Sequence, residues 1–201
     1  MYRDQQRVSA VLLLIPILIA VVMAAGIRRV VASQPSPPAG VDLAGKPLDP
    51  LRSDPGKPVV LIFIRTDCPI SNRYAPTIQR LGAQYAGKVA FWLVYPDQAE
   101  SAAAIGQHLH AYGYKLPALR DPQHSLVKLG QVDVTPEAAV FDAGGQLVYH
   151  GRIDNWYQAF GKARSAPTTH ELDDAVQAVL SGAKPQVVTA SAVGCYISDL
   201  E

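Results

Sequence analysis

The sequence has no Cys-x-x-Cys pair: Cys68 and Cys195 are its only cysteines, and Ser71 stands where a second local thiol would be. A disulfide cycle confined to one loop is thereby excluded, and two cysteines fit an oxidising compartment without requiring one. It also lacks any run of five or more basic residues, and its net charge is only +1 with His neutral. Neither nucleic acid nor an acidic partner finds support in such a balance. There is no internal repeat, and charged residues make up 17 % against 49 % hydrophobic. The five histidines are dispersed: His108 and His110, two apart on an expected helix, face different ways, and His124, His150 and His170 stand alone. Neither a metal nor an organic cofactor is expected from such a ligand set.

What is abundant is apolar sequence near the start. Val8 to Ile27 carries no charge. As a helix rising about 1.5 Å per residue it covers roughly 30 Å, the thickness of a bilayer core, and Pro16 is tolerable there. The alternative is a cleaved signal peptide, with Val30-Val31-Ala32 as the small-residue site. The length of the apolar stretch and the Arg28-Arg29 pair after it favour an uncleaved anchor over residues 1–29. The flanking charges nearly tie, but anchor and signal peptide alike place the domain outside the cytoplasm, on the periplasmic side. Ala32 to Gly40, rich in proline, reads as a semi-rigid linker (residues 30–40). A folded domain over 41–183 and a tail over 184–201 follow.

Within the domain, Val59–Ile64 and Val89–Tyr95 are continuous apolar runs of the kind that form strands covered on both faces. Between them Tyr74, Ile78, Leu81 and Tyr85 mark a helix that Pro76 should kink. Ser101 caps a further helix carrying Ile105, His108 and Leu109. Asp121-Pro122 should open a shorter one that Gly130 ends. Ala138–Asp142 and Gln146–His150 flank a Gly-Gly turn and read as a hairpin. Thr168 and Glu171 have capping-box spacing ahead of a last helix with Leu172, Ala175, Val176 and Val179 on one face. Strand–helix–strand units followed by a hairpin and a helix predict an α/β fold with a mixed central sheet flanked by helices.

Cys68, in Thr66-Asp67-Cys68-Pro69-Ile70-Ser71, lies just after a buried strand and just before a helix. Unpaired N–H groups and the helix dipole favour a thiolate there, and a thiolate is the attacking species in disulfide exchange and peroxide reduction. The alternative is an inert, buried cysteine, against which the polar neighbours Thr66, Asp67, Ser71 and Asn72 speak.

At these residues the chain resembles the redoxin (AhpC/TSA) branch of the thioredoxin superfamily. Thr-Asp-Cys-Pro-Ile-Ser-Asn-Arg-Tyr-Ala-Pro carries the likeness, which extends from about Val41 to Ile197 and takes in Gly151-Arg152-Ile153-Asp154-Asn155 and Val193-Gly194-Cys195. The resemblance implies a thioredoxin-like fold and a peroxidatic or thiol-exchange cysteine at Cys68. It also implies a cis-proline loop at Thr135-Pro136 facing that cysteine, a trans turn proline being the alternative. The chain departs from the peroxiredoxin pattern in its Thr66-x-Cys68 spacing and in having Thr135-Pro136 where those proteins carry an arginine. A copper-carrier branch needs a second nearby cysteine, which is Ser71 here.

Cys195 is then the only internal partner for Cys68, as a resolving thiol, a structural disulfide partner or an unpaired packing residue. Its reach depends on whether the segment from Lys184 to Gly194 spans to the site. The candidate catalytic residues are Cys68 and Cys195, and the candidate substrate-binding residues Thr66, Ser71, Thr135, Pro136 and Arg152. The expected function is a membrane-tethered thiol oxidoreductase acting on a protein disulfide, a thiol or a peroxide, with an external thiol reductant. A non-catalytic binding module is the alternative, and a copper carrier a third reading.

Overall fold

The computed structural model describes residues 40–198. The apolar segment Val8–Ile27 and the linker up to residue 39 lie outside the described residues, among which no helix is long and apolar enough to cross a membrane.

In chain order, β1 (Gly40–Asp42) and β2 (Pro47–Leu48) form a short ribbon, followed by β3 (Val59–Phe63), α1 (Pro69–Arg73), α2 (Ala75–Gln84) and β4 (Ala90–Tyr95). Next come α3 (Ala102–Ala111), β5 (Ala118–Arg120), α4 (Ser125–Gly130), β6 (Val134–Thr135), β7 (Glu137–Phe141) and β8 (Leu147–Gly151). The chain closes with β9 (Tyr157–Ala159), β10 (Lys162–Ala163), α5 (Glu171–Leu180), β11 (Thr189–Ala190) and β12 (Cys195–Tyr196). Eight strands make one sheet in the order β11-β8-β7-β3-β4-β5-β1-β2. β3 runs parallel to β4 and antiparallel to β7, so the sheet is mixed.

The continuous apolar runs sit where such runs must. Side chains alternate across a strand, and β3 accordingly sends Val60 and Ile62 into one core and Val59, Leu61 and Phe63 into another. The first core receives Ile78 and Leu81 of α2, Ile105 of α3 and Leu172, Ala175 and Val176 of α5. The second receives Leu126 and Val127 of α4. Every residue of β3 is buried, which leaves no face for polar alternation.

Local expectations fare unevenly. The kink ahead of Pro76 is a full break: α1 ends at Arg73, Tyr74 caps both helices and α2 starts at Ala75, because Pro76 has no N–H for the Asn72 carbonyl and its ring crowds that carbonyl. Ser101 caps α3, its Oγ accepting from the Ala104 amide at 3.1 Å. The short helix does not begin at Pro122. It begins at Ser125, and Asp121 caps it from a distance, its carboxylate accepting from the amides of Ser125, Leu126 and Val127 at 2.8–2.9 Å. The Thr168–Glu171 capping box is also absent. His170 precedes α5, Thr168 pairs with the Asn155 side chain, and Glu171 turns to Arg152.

The segment after α5 folds back as a strap. β11 adds a parallel edge strand to β8, with Thr189 opposite His150 and Ala190 opposite Gly151. Only glycine fits at 151: φ is +141° and a Cβ would lie 2.2 Å from the Ala190 carbonyl oxygen. The strap then crosses to β6, where β12 pairs antiparallel with Cys195 opposite Thr135. Ile197, 6 % exposed, anchors its end in the second core.

Candidate active site

Cys68 holds the N-cap position of α1, with extended backbone (φ −82°, ψ 111°) after the Thr66-Asp67 turn. Pro69 follows at the first helical position, where a missing N–H costs nothing. The side chain is fully buried, at 0 % exposure. Its S–H donates to the Thr135 carbonyl at 3.1 Å, and the Thr135-Pro136 peptide bond is cis. Cys68, Thr135 and Pro136 therefore meet as expected of the loop facing the cysteine. Ser71 joins them from the third residue of α1; its buried Oγ has no hydrogen bond of full geometry and faces the sulfur at electrostatic range.

The turn before Cys68 is held through its backbone. The Thr66 amide donates to Glu100 Oε1 at 2.6 Å, and the Thr66 carbonyl accepts from Asn72 Nδ2 at 3.0 Å. Asn72 Oδ1 lies 2.7 Å from His108 Nε2, and His108 Nδ1 lies 2.8 Å from the Tyr95 hydroxyl. With its amide nitrogen committed to Thr66, Asn72 can only accept from His108. Nε2 therefore carries the proton and Nδ1 accepts from Tyr95. Burial lowers the His108 pKa and keeps this neutral form. Burial likewise raises the Glu100 carboxyl, against the pull of the Thr66 amide.

The strap closes the site. Ile197 N–H donates to the Asp133 carbonyl at 3.0 Å, and Thr135 Oγ1 donates to the Cys195 carbonyl at 3.4 Å. Arg65, paired to Asp97 at 2.8 Å and Asp67 at 3.1 Å, reaches the Tyr196 carbonyl at 3.5 Å. Gly194 passes so near the Thr135 carbonyl that a Cβ would lie 2.2 Å from its oxygen. The strand register sets Cys195 opposite Thr135, whose carbonyl accepts the Cys68 S–H, and so within electrostatic reach of Cys68, both being free thiols.

These surroundings set the two thiols apart. Burial alone would raise Cys68, but the Cys195 thiol, the Ser71 hydroxyl and the amides of both residues outweigh it and leave Cys68 below its ordinary value. Cys195 is pushed up to about 12 by burial and by the neighbouring Cys68. Of the two thiols Cys68 is thus the more acidic and Cys195 the one that keeps its proton longer.

Arg152 does not join this group. Its guanidinium pairs with Glu171, Nε lying 3.0 Å from Oε1, and its own amide donates to the strap at Ala190. Tyr74, Trp156 and Tyr157 pack edge-on beside α1, with Arg73 over the Trp156 ring at 5.2 Å, and Tyr74 donates to Asp154 at 2.6 Å. Phe160 is left 69 % exposed. His108 is buried while His110 is exposed, and no cluster of three or more metal-ligating side chains occurs among the described residues. Glu100 escaped the sequence reading, although a carboxylate just past β4, on the sheet edge that holds Cys68, was the available signal.

The model of the AhpC/TSA family matches residues 44–150. No curated protein matches the chain. Among solved structures, a hypothetical protein from Sinorhizobium meliloti 1021 is 26 % identical with a TM-score of 0.66, over 79 % of this chain and 88 % of that one. An uncharacterized conserved protein from Geobacillus kaustophilus is 22 % identical with a TM-score of 0.68, over 81 % and 88 %. The exposed lipoprotein thioredoxin Etrx1 from Streptococcus pneumoniae strain TIGR4 is 23 % identical with a TM-score of 0.51, over 71 % and 96 %. The last two likenesses speak to the fold, which is thioredoxin-like.

Proposed function

The chain belongs to the AhpC/TSA family, and we propose that it is a thiol oxidoreductase in which Cys68 is the nucleophile and Cys195 the resolving thiol. The β12–β6 pairing, which sets Cys195 opposite the Thr135 that accepts the Cys68 S–H, supports this reading. It supplies from the far end of the domain the second thiol that Ser71 withholds locally.

With a peroxide, the Cys68 thiolate attacks one oxygen, the O–O bond breaks, and the sulfur becomes a sulfenic acid while the other oxygen leaves as hydroxide or alkoxide and takes a proton from water. Cys195 sulfur then attacks the sulfenyl sulfur. The S–S bond forms, the S–O bond breaks, and the departing hydroxide takes the Cys195 proton as water. With a disulfide substrate, Cys68 forms a mixed disulfide and expels one thiolate, and Cys195 expels the second. Both routes end in a Cys68–Cys195 disulfide that external thiols reduce with two electrons. Ser71, Thr135 and Pro136 shape the sulfur's surroundings, and Thr66 sets the turn through its backbone.

One equivalent of hydrogen peroxide followed by non-reducing peptide mapping tests the assignment. The expected product is a Cys68–Cys195 disulfide in the wild type, with sulfenic and higher acids on Cys68 in Cys195→Ser. An unmodified Cys68 would sink the reading.

We also propose that Val8–Ile27 tethers the domain on the extracytoplasmic side. Alkaline extraction of membranes, combined with protease accessibility in intact cells and spheroplasts, tests this. Release into the alkaline supernatant, or protection of the domain in spheroplasts, refutes it.

A further inference from the structure

Arg65 stands between the buried run Val59–Ile64 and the Thr66-Asp67 turn that leads to Cys68. Its side chain is only 19 % exposed. Nη2 pairs with Asp97 at 2.8 Å and with Asp67 at 3.1 Å, and Nη1 donates to the Tyr196 carbonyl at 3.5 Å. Nε is buried without a hydrogen-bond partner, so the group is held by its two outer nitrogens alone. Three segments thus converge on one cation: the turn before Cys68, the residues just past β4, and the strap one residue beyond Cys195. We infer that Arg65 is the positioning residue of the resolving step, its guanidinium holding the strap where Cys195 reaches an oxidised Cys68.

The strap needs such a hold. β12 is only two residues long, and the Tyr196 side chain, 80 % exposed, gives it no packing. Ile197 anchors the chain in the second core, and Thr135 Oγ1 reaches the Cys195 carbonyl at 3.4 Å. Arg65 adds the one charged tie, and it does so from the segment that carries Cys68. Asp97 is mostly buried and fixes the guanidinium, while the exposed Asp67 links it to the turn. A guanidinium suits this place because its rigid fork serves the carboxylates with one nitrogen and the carbonyl with another. A lysine ammonium is a point charge and cannot reproduce both directions at once.

The placement also serves the chemistry of that step. Cys195 sulfur attacks the sulfenyl sulfur of Cys68, the S–S bond forms, the S–O bond breaks, and the departing hydroxide takes the Cys195 proton as water. Cys195 must therefore give up its proton as it attacks. Burial and the neighbouring Cys68 oppose this, and the Arg65 cation favours it. The groups that favour the Cys68 thiolate are instead Cys195 and Ser71. Arg65 thus acts on the second half of the cycle and leaves the first attack to Cys68 and its own neighbours.

This inference rests on the redox pairing proposed above, and one experiment separates the two. Full-length wild type, Arg65→Gln and Arg65→Lys are reduced, mixed with one equivalent of hydrogen peroxide and quenched at intervals into dimedone, which traps a sulfenic acid. Peptide mapping then follows the Cys68 thiol, its dimedone adduct and the Cys68–Cys195 disulfide. The expected result is that Cys68 is oxidised no more slowly in either variant than in the wild type. Conversion of sulfenic acid to disulfide should be about tenfold slower in Arg65→Gln, with the dimedone adduct accumulating, and should lie between the two in Arg65→Lys, which keeps the charge without the fork. Disulfide formation at the wild-type rate in Arg65→Gln overturns the inference and leaves the redox pair intact. Slowing of both steps together, or loss of the fold in both variants, makes Arg65 a structural residue only and overturns it as well. A wild type that forms no Cys68–Cys195 disulfide overturns both.

Discussion

Cys195 stands opposite Thr135 in an antiparallel pair, and Thr135 is the residue whose carbonyl accepts the Cys68 S–H. One backbone position thus orients both thiols. The acidity of Cys68 is consequently a property of two distant segments held in register rather than of the helix start alone.

Cys195→Ala removes the largest group that favours the Cys68 thiolate and leaves the burial that opposes it. The Cys68 titration is expected to move upward relative to the wild type. Ultraviolet thiolate absorbance against pH, with Cys68→Ser as the blank, measures the shift; an unchanged or lower midpoint contradicts it.

Gly194→Ala places a Cβ against the Thr135 backbone, 2.2 Å from its oxygen and 2.7 Å from its carbonyl carbon. Neither atom belongs to a flexible side chain, so the strap has to lift, at a cost of about 1–3 kcal/mol. Alkylation of Cys68 by a bulky maleimide is expected to accelerate at least tenfold. Ile197→Ala, which withdraws the anchor from the second core, should act in the same direction.

Arg152→Ala is expected to reduce stability rather than chemistry. Burial alone would raise the Glu171 carboxyl, but Arg152 and Thr169 outweigh it and hold it below its ordinary value. Removing the cation leaves a carboxylate at 8 % exposure without its main partner. Because the Arg152 side chain is itself one-third exposed, the loss is about 1–3 kcal/mol in urea unfolding rather than the larger figure for a fully buried pair. The rate of Cys68 oxidation by peroxide should stay within about twofold.

His108 gives the fold a pH dependence of known sign. Its folded pKa lies below the ordinary 6.5 because the ring is buried. Between those values the unfolded chain holds a proton that the folded chain does not, so this contribution is complete above 6.5 and is lost as pH falls toward the folded value. The stability difference between wild type and His108→Gln should therefore shrink from about pH 7.5 to about pH 5.5. Urea midpoints at the two pH values measure it, and a difference that grows on acidification contradicts the assignment.

The features that were readable beforehand share one property: their signal is local. Val59–Phe63 declares itself by being apolar at every position, Ser101 by preceding a helical stripe, and the hairpin by Gly144-Gly145. The start of α4 misled because Asp121 caps through its side chain from four residues ahead of Ser125, with the left-handed His124 between. The Thr168–Glu171 spacing misled because Glu171 had a stronger, charged partner in Arg152. The strap was least legible: β11 and β12 are two residues long, and their partners in β8 and β6 lie far back in the chain. Pairings that short carry no periodicity, and only Gly151 and Gly194 mark where a backbone must come close.

That far-reaching connection also bears on chain entropy. A bond between Cys68 and Cys195 would close a ring over most of the folded domain, restricting the unfolded ensemble by about 4–5 kcal/mol. In the native fold both cysteines already meet at Thr135, one through strand pairing and the other through its S–H. Oxidation state would then be legible as heat resistance: the oxidised chain melts well above the reduced one, and a mixed population melts in two steps.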